Sequence, residues 1–376
     1  SLLLPSITKM AVSDPLSTAG CMQPSNESPN SICIVRLSAI GDVCHVVAVV
    51  QAIQKYYLNA TITWVIGRVE HALLGDLPGI EFIVFDKAQG LRAYYEVKKQ
   101  LRTRPAFDVL LQMQTSMRAN LLGALVSARR KIGFPVGLGK ELHNLVAREH
   151  VNSSDAFHVL DVFKEFAYAI GVPAFDATWS IPISSRDHLT ASALVRGEPG
   201  YVLLAPSASH SERIWIPERY AAVADYCNAK GLRVAVTGSA APREMDLASL
   251  ICDLADGTLI NIAGQTSLKQ LLALCRHARL IIGPDSGTLH MATTQQTPVV
   301  GLYAHSNPRR TGPYQGLKTV ADAYSDILTS RGHQDQQQQW GYRLKGEALM
   351  REIQLETVTS LIDDALNKTY EVRPFA

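Results

Sequence analysis

From about residue 31 onward, short apolar runs alternate with longer segments in which apolar residues recur every three to four positions. The runs predict strands at 32–37, 61–66, 82–85, 107–113 and 131–134, and the longer segments predict helices at 43–57, 91–102, 117–127 and 156–170. A second series opens at Tyr201 and repeats the alternation, with strands expected at 201–205, 232–237, 259–262, 279–283 and 298–303. Its helices are expected to start near Pro217, Pro242, Ser267 and Gly287. The two prolines suit a first helical position, where a missing N–H costs nothing. Alternation of this kind builds parallel sheets covered by helices. The expected fold is α/β, with two lobes of parallel sheet facing each other across a cleft.

The first lobe is placed at 31–185 and the second at 199–345, with the connection in the stretch carrying Pro173, Pro182 and Pro199. Residues 1–30 are rich in Ser, Pro and Asn and read as a disordered tail. The polar stretch from Ser325 to Trp340, with its run Gln336–Gln339, reads as a surface loop without assigned function. Residues 346–376 are expected to form a C-terminal helix that returns to the first lobe.

Composition changes this picture in three ways. A chain of 376 residues with 47% apolar and 19% charged positions suits two globular domains, and no window of 18 uncharged apolar residues offers a membrane span. The six cysteines lack CxxC spacing, which points to reduced, buried thiols in a cytoplasmic protein rather than to disulfides or zinc. The net charge of +2 conceals a basic arc: from Lys87 to Arg148 stand twelve Lys and Arg against Glu96, Asp108 and Glu141. That arc, which includes Lys98, Lys99, Arg102, Arg118, Arg130 and Lys140, suits an anionic lipid or membrane surface. Nucleic acid is not an expected partner, because the arc lacks interleaved aromatics and no binding motif accompanies it.

Two strand–turn–helix corners carry the candidate chemistry. In Arg36-Leu-Ser-Ala-Ile-Gly-Asp-Val-Cys-His45, Gly41 lets the backbone turn tightly and Asp42 lies at the C-terminal edge of the first strand, where open α/β sheets bind ligands. Asp42 is placed as a general base for an attacking hydroxyl, and an ordinary N-cap is the competing role. His45 reads as packing. In Gly283-Pro-Asp-Ser-Gly-Thr-Leu-His290, a helix opens near Gly287 with free amides that favour phosphate oxygens. Ser286, Gly287 and Thr288 could cradle a diphosphate, with His290 one turn on and Asp285 as the N-cap alternative. The loop Ala205–Pro217 adds hydroxyls at Ser207, Ser209 and Ser211 and a cation at Arg213, suited to a leaving group whose negative charge grows. GxGxxG after a strand, GxxxxGK[ST], GxSxG, HExxH and Asp-x-Asp are all missing, so no oxidoreductase, P-loop, hydrolase or zinc-protease signature is present.

These two corners, in this order, resemble the signatures of the lipopolysaccharide heptosyltransferases, glycosyltransferase family 9, and Trp215-Ile-Pro217 after the Ser-rich loop is similar to a third element of that family. The resemblance spans about residues 32–325. It implies a GT-B fold of two Rossmann-like lobes and an inverting, metal-independent enzyme using ADP-heptose, with no cofactor. It places Asp42 as catalytic base. Gly41, Ser209, Arg213, Asp285, Ser286, Gly287 and His290 fall on the donor pocket; Arg36, Gln114 and Arg118 fall on acceptor-facing positions. It implies Kdo-lipid A or a related anionic glycolipid as acceptor, on the cytoplasmic face of the inner membrane, with the branch adding the first heptose the most similar. A family acidic residue expected after the second donor-lobe strand has no clear counterpart here beyond Glu244. The alternatives are a heptosyltransferase II or other family 9 enzyme, a nucleotide-sugar epimerase-like enzyme of the same fold, and a non-catalytic sugar- or lipid-binding homologue.

Overall fold

The computed structural model describes residues 28–375 apart from 140–141, 153–156, 334, 336–338, 347 and 369. The expected tail (except residues 28–30), Lys140 of the basic arc and most of the glutamine run lie outside the described residues. Six parallel strands form the first sheet: β1 (Ser31–Val35), β2 (Thr61–Gly67), β3 (Ile80–Phe85), β4 (Phe107–Gln112), β5 (Ala128–Gly133) and β6 (Glu149–His150), in the order β3-β2-β1-β4-β5-β6. The second sheet comprises β7 (Val202–Leu204), β8 (Val234–Val236), β9 (Leu259–Asn261), β10 (Leu280–Pro284), β11 (Val299–Tyr303) and β12 (Val320–Asp322), also parallel, in the order β12-β11-β10-β7-β8-β9. Each lobe therefore reverses direction between its first and fourth strands. The crevices beyond the C-terminal ends of β1/β4 and of β7/β10 are where such sheets take ligands.

The strands that sequence predicted are all present within a few residues. The edge strands β6 and β12 were missed: at two and three residues, they carry too little alternation to signal a strand. The helices Arg68–Leu74 and Ala323–Ser330 were also missed, the second lying partly inside the stretch read as loop. The helix Ser185–Leu194 occupies the expected connection, buries only Ala191 of its own residues, and packs on the second-lobe helix Leu268–His277.

One expected placement is corrected. The C-terminal helix, Leu355–Asn367, stays on the second lobe, against the helix Pro217–Ala229 and the β11–β12 edge. Its apolar stripe Val358, Ile362 and Ala365 joins a buried cluster with Trp215, Tyr324 and Ile327, so it has no apolar face left for the first lobe.

The lobes are joined instead by two helices facing each other across the cleft, Ile40–Tyr56 and Gly287–Thr294. Val43, Val46, Val47 and Val50 of the first share a continuous core with Leu289, Met291 and Ala292 of the second. Full burial of such side chains contributes roughly 1.5–3 kcal/mol each. Among the described residues no helix is long and apolar enough to cross a membrane. The described cysteines are free, and all but the partly buried Cys252 are buried.

Candidate active site

The first-lobe corner is held by a partner that lies far away in sequence. Gln114, just beyond β4, accepts the N–H groups of Leu37 at 2.8 Å and Ser38 at 3.3 Å, which fixes the turn leaving β1. The helix that follows starts at Ile40, three residues earlier than its apolar pattern suggested. Asp42 is thus its third residue rather than an N-cap. Its carboxylate takes a 3.4 Å contact from the Ala39 N–H and an ion pair from Arg36. Arg36 is buried, and its other nitrogen donates to the Met113 carbonyl at 2.6 Å. Burial disfavours the guanidinium charge and lowers its pKa, while Asp42 opposes that shift. The result is a carboxylate about one-third exposed, oriented from behind by a buried cation.

The second-lobe corner is built around Asp285, at the end of β10. It accepts from Ser306 Oγ at 2.7 Å and Thr311 Oγ1 at 3.2 Å, and lies 3.3 Å from Arg213 Nη1 and 3.6 Å from His290 Nε2. Burial alone would raise its pKa; His290, Arg213 and Ser306 outweigh burial and hold it at about 2. Asp285 is not the N-cap either, since that position belongs to Ser286. Around it, Ser207 Oγ, Thr237 Oγ1, Ser286 Oγ, His290 Nδ1, Arg213 Nε and Arg310 Nε are buried without a hydrogen-bond partner. Buried polar atoms are normally paired, so this set marks a surface prepared for a ligand.

The corners meet without room for side chains. A Cβ on Gly41 would stand 2.3 Å from His290 Cδ2, and one on Gly287 would stand 3.0 Å from Ile40 Cγ2. His45 is buried beside His290, with ring centroids 4.8 Å apart, in the packing role expected of it. First-lobe His158 donates Nε2–H to the Gly312 carbonyl of the second lobe at 2.9 Å. A cavity of about 850 Å³ opens where the corners meet, lined from both lobes by Gly41, Asp42, Ser209, Arg213, Asp285 and His290 among others. That volume suits a ligand of nucleotide-sugar size.

All seven residues expected in a donor pocket, with Asp42, are brought to this cavity. Glu244 also lines it, beyond β8, and accepts the Ser239 N–H at 2.8 Å. The three residues expected to face an acceptor are not among its lining. Arg36 is taken up by Asp42 and Met113, Gln114 by the turn after β1, and Arg118 is exposed on the helix Met117–Leu125. Arg310 and Arg343, which sequence reasoning passed over, do line it. Arg310 follows the C-terminal end of β11, next to the β7/β10 crevice, and that position was the available signal. Among the described residues no group of three or more His, Cys, Asp or Glu is placed to hold a metal ion.

A profile of glycosyltransferase family 9 (heptosyltransferase) matches residues 94–340. The chain is 41% identical over 333 residues to the lipopolysaccharide core heptosyltransferase OpsX of Haemophilus influenzae, covering 88% of this chain and 96% of that protein. The chain belongs to glycosyltransferase family 9. Its architecture is the GT-B arrangement of that family, and two solved structures share the fold. A family 9 glycosyltransferase from Veillonella parvula superposes with TM-score 0.74 at 22% identity, over 90% of this chain and 97% of that one. The E. coli heptosyltransferase WaaC with ADP superposes with TM-score 0.62 at 17% identity, over 80% and 99%. The profile match holds the Asp285 corner of this family 9 enzyme and ends at Trp340; Asp42 lies before it.

Proposed function

We propose that this glycosyltransferase moves heptose from ADP-L-glycero-D-manno-heptose to a Kdo residue of the lipopolysaccharide inner core, as a heptosyltransferase I. The observation that carries the reading is the opening of Asp42, from one lobe, into the same cavity as Arg213 and the amide-bearing start of the helix Gly287–Thr294, from the other. A base and an anion site on opposite walls suit an inverting displacement. The acceptor hydroxyl attacks the anomeric carbon, its proton passes to Asp42, and the bond to the diphosphate breaks on the far face. The names of OpsX and of the ADP-bound WaaC support the donor and the core acceptor. No cofactor takes part in this scheme, and fixed cations and amides stand where a metal would otherwise neutralise the leaving group.

Acceptor-dependent ADP release tests the reading. With ADP-heptose and deacylated Kdo-lipid A, ADP is expected to appear only when both are present. Release that requires a heptosylated acceptor would replace heptosyltransferase I by heptosyltransferase II. Tight binding of ADP-heptose without release to any core acceptor would leave a binding homologue.

A lipid-borne acceptor would call for the enzyme to work at the inner face of the inner membrane. Tyr95, Leu121 and Leu145 are 65%, 49% and 77% exposed on the first lobe; Tyr95 is one turn from Arg92 and Lys99 on one helix, and Leu121 is one turn from Arg118 on another. Apolar tips among cations suit an anionic bilayer. Co-sedimentation with anionic phospholipid vesicles is expected to fall about tenfold in Leu121→Asp/Leu145→Asp, in line with the lost apolar transfer, and to weaken with salt. Equal binding by variant and parent would remove this surface.

A further inference from the structure

The glutamine-rich stretch had no role in sequence, yet the chain emerging from it reaches the cavity. Arg343 pairs in an antiparallel bridge with Ser306, and the Leu344 N–H donates to the His305 carbonyl at 3.0 Å, which pins the segment to the exit of β11. Three residues earlier, the Trp340 ring lies 4.1 Å from the Arg310 guanidinium. Arg310 itself sits on the short helix Pro308–Thr311. The Arg310 Nε and Trp340 Nε1 atoms are both buried without a hydrogen-bond partner.

Two cations at the cavity have no direct ion-pair partner. Arg36 is matched by Asp42 and Arg213 by Asp285. Among the described residues neither Arg310 nor Arg343 has a carboxylate within ion-pairing distance. Of the other carboxylates lining the cavity, Glu244 is engaged by the Ser239 N–H, and Glu70 makes no ion pair with either arginine. Burial also disfavours the charge of Arg310, and Arg343 adds repulsion; Asp42 and Asp285 act in the opposite sense from either side. Two cations thus stand unmatched between the candidate base and the anion site. Cations held this way are stabilised when an anion arrives.

We propose that Arg310, backed by Trp340, and Arg343, carried to the site on the same segment as Trp340, clamp the diphosphate of the donor and take up the charge that develops as it leaves. The proposal rests on the reading of the donor as a nucleoside diphosphate sugar. When the sugar–oxygen bond breaks, its electron pair stays on the phosphate oxygen. The acceptor oxygen forms the new bond to the sugar, and its proton passes to Asp42. A guanidinium stacked on an indole is pre-aimed, and its planar fork can meet two phosphate oxygens at once. Arg343 lies past residue 340, where the family profile ends, so the profile does not describe this half of the clamp.

The test is titration of the full chain and its variants with ADP, AMP and inorganic pyrophosphate, with thermal midpoints recorded to confirm folding. Arg310→Ala and Arg343→Ala are each expected to lower ADP and pyrophosphate affinity about 10–100-fold, the size of a lost charged hydrogen-bond pair, while AMP affinity changes less than about threefold. Trp340→Leu is expected to give a smaller loss, and Arg310→Lys to recover part of it. Parallel losses for AMP and ADP, equal pyrophosphate binding by variant and parent, or no pyrophosphate binding by the parent would each overturn the clamp. Failure of the donor reading looks different: pyrophosphate binding would still depend on Arg310, but ADP would bind no better than UDP.

Discussion

Asp42→Asn is expected to lower kcat by about 10²–10⁴-fold, the range for loss of a general base, with ADP affinity within a few-fold of the parent. Asparagine keeps the shape and can still accept from Arg36 and the Ala39 N–H, so the turn after β1 survives. What disappears is the group that can take a proton, along with the counter-charge of Arg36. A buried cation deprived of its partner is costly, roughly 3–5 kcal/mol when the site is fully dry. Asp42 is about one-third exposed, so the stability loss will be smaller. Rates must therefore be compared well below the variant's thermal midpoint. Donor affinity is the internal control, because its anion site belongs to the other lobe. Turnover close to that of the parent would remove Asp42 from the mechanism, and equal losses of kcat and ADP binding would make its role structural.

The strand, the Gly-Asp turn and the valine-rich helix around Asp42 are local, and so is the Asp-Ser-Gly corner at residue 285; both were legible in the sequence. The start of the first helix was misplaced because Ala39-Ile40-Gly41 has no capping side chain and ends in a poor helix former. The neighbours of each corner come from elsewhere in the chain. Gln114 and Arg36 were singled out, but as acceptor contacts. The hydrogen bonds they make in the fold depend on β4 lying beside β1, a pairing that no local pattern encodes. Arg310, Trp340 and Arg343 converge only because β11 sits next to β10 and the later segment doubles back on Ser306. The stripe Val358, Ile362 and Ala365 announced an amphipathic helix but not the lobe that would receive it.

The second large effect is expected from acid. Between pH 6.5 and 4 the thermal midpoint should fall steeply, with the fall beginning above the range in which ordinary carboxylates titrate. His143, His158 and His277 are almost fully buried, and burial depresses each to about 4. Hydrogen bonding gives the reason in atomic terms. His143 Nε2 accepts the Phe134 N–H at 3.0 Å, and His158 Nδ1 accepts the Leu160 N–H at 3.1 Å. Their other nitrogens face Asn120 Oδ1 at 3.1 Å and the Gly312 carbonyl at 2.9 Å. A second proton on either ring would set an N–H against an N–H. The unfolded chain has no such constraint and protonates near 6.5. Below that value the unfolded state binds more protons than the folded one, so stability is fully present above 6.5 and drains away toward 4. For His158 alone the shift amounts to about 3 kcal/mol at full extent, against a total domain stability of about 5–15 kcal/mol. Asp285 acts in a lower window with the opposite kind of shift. Its depressed carboxylate, at about 2, contributes stability above the usual value near 4 and loses it only as pH falls through the folded value. Thermal midpoints at constant ionic strength from pH 8 to 2 resolve the two. A midpoint that stays flat to pH 5 would mean these histidines are not held neutral. A fall confined below pH 4 would assign the acid lability to carboxylates such as Asp285.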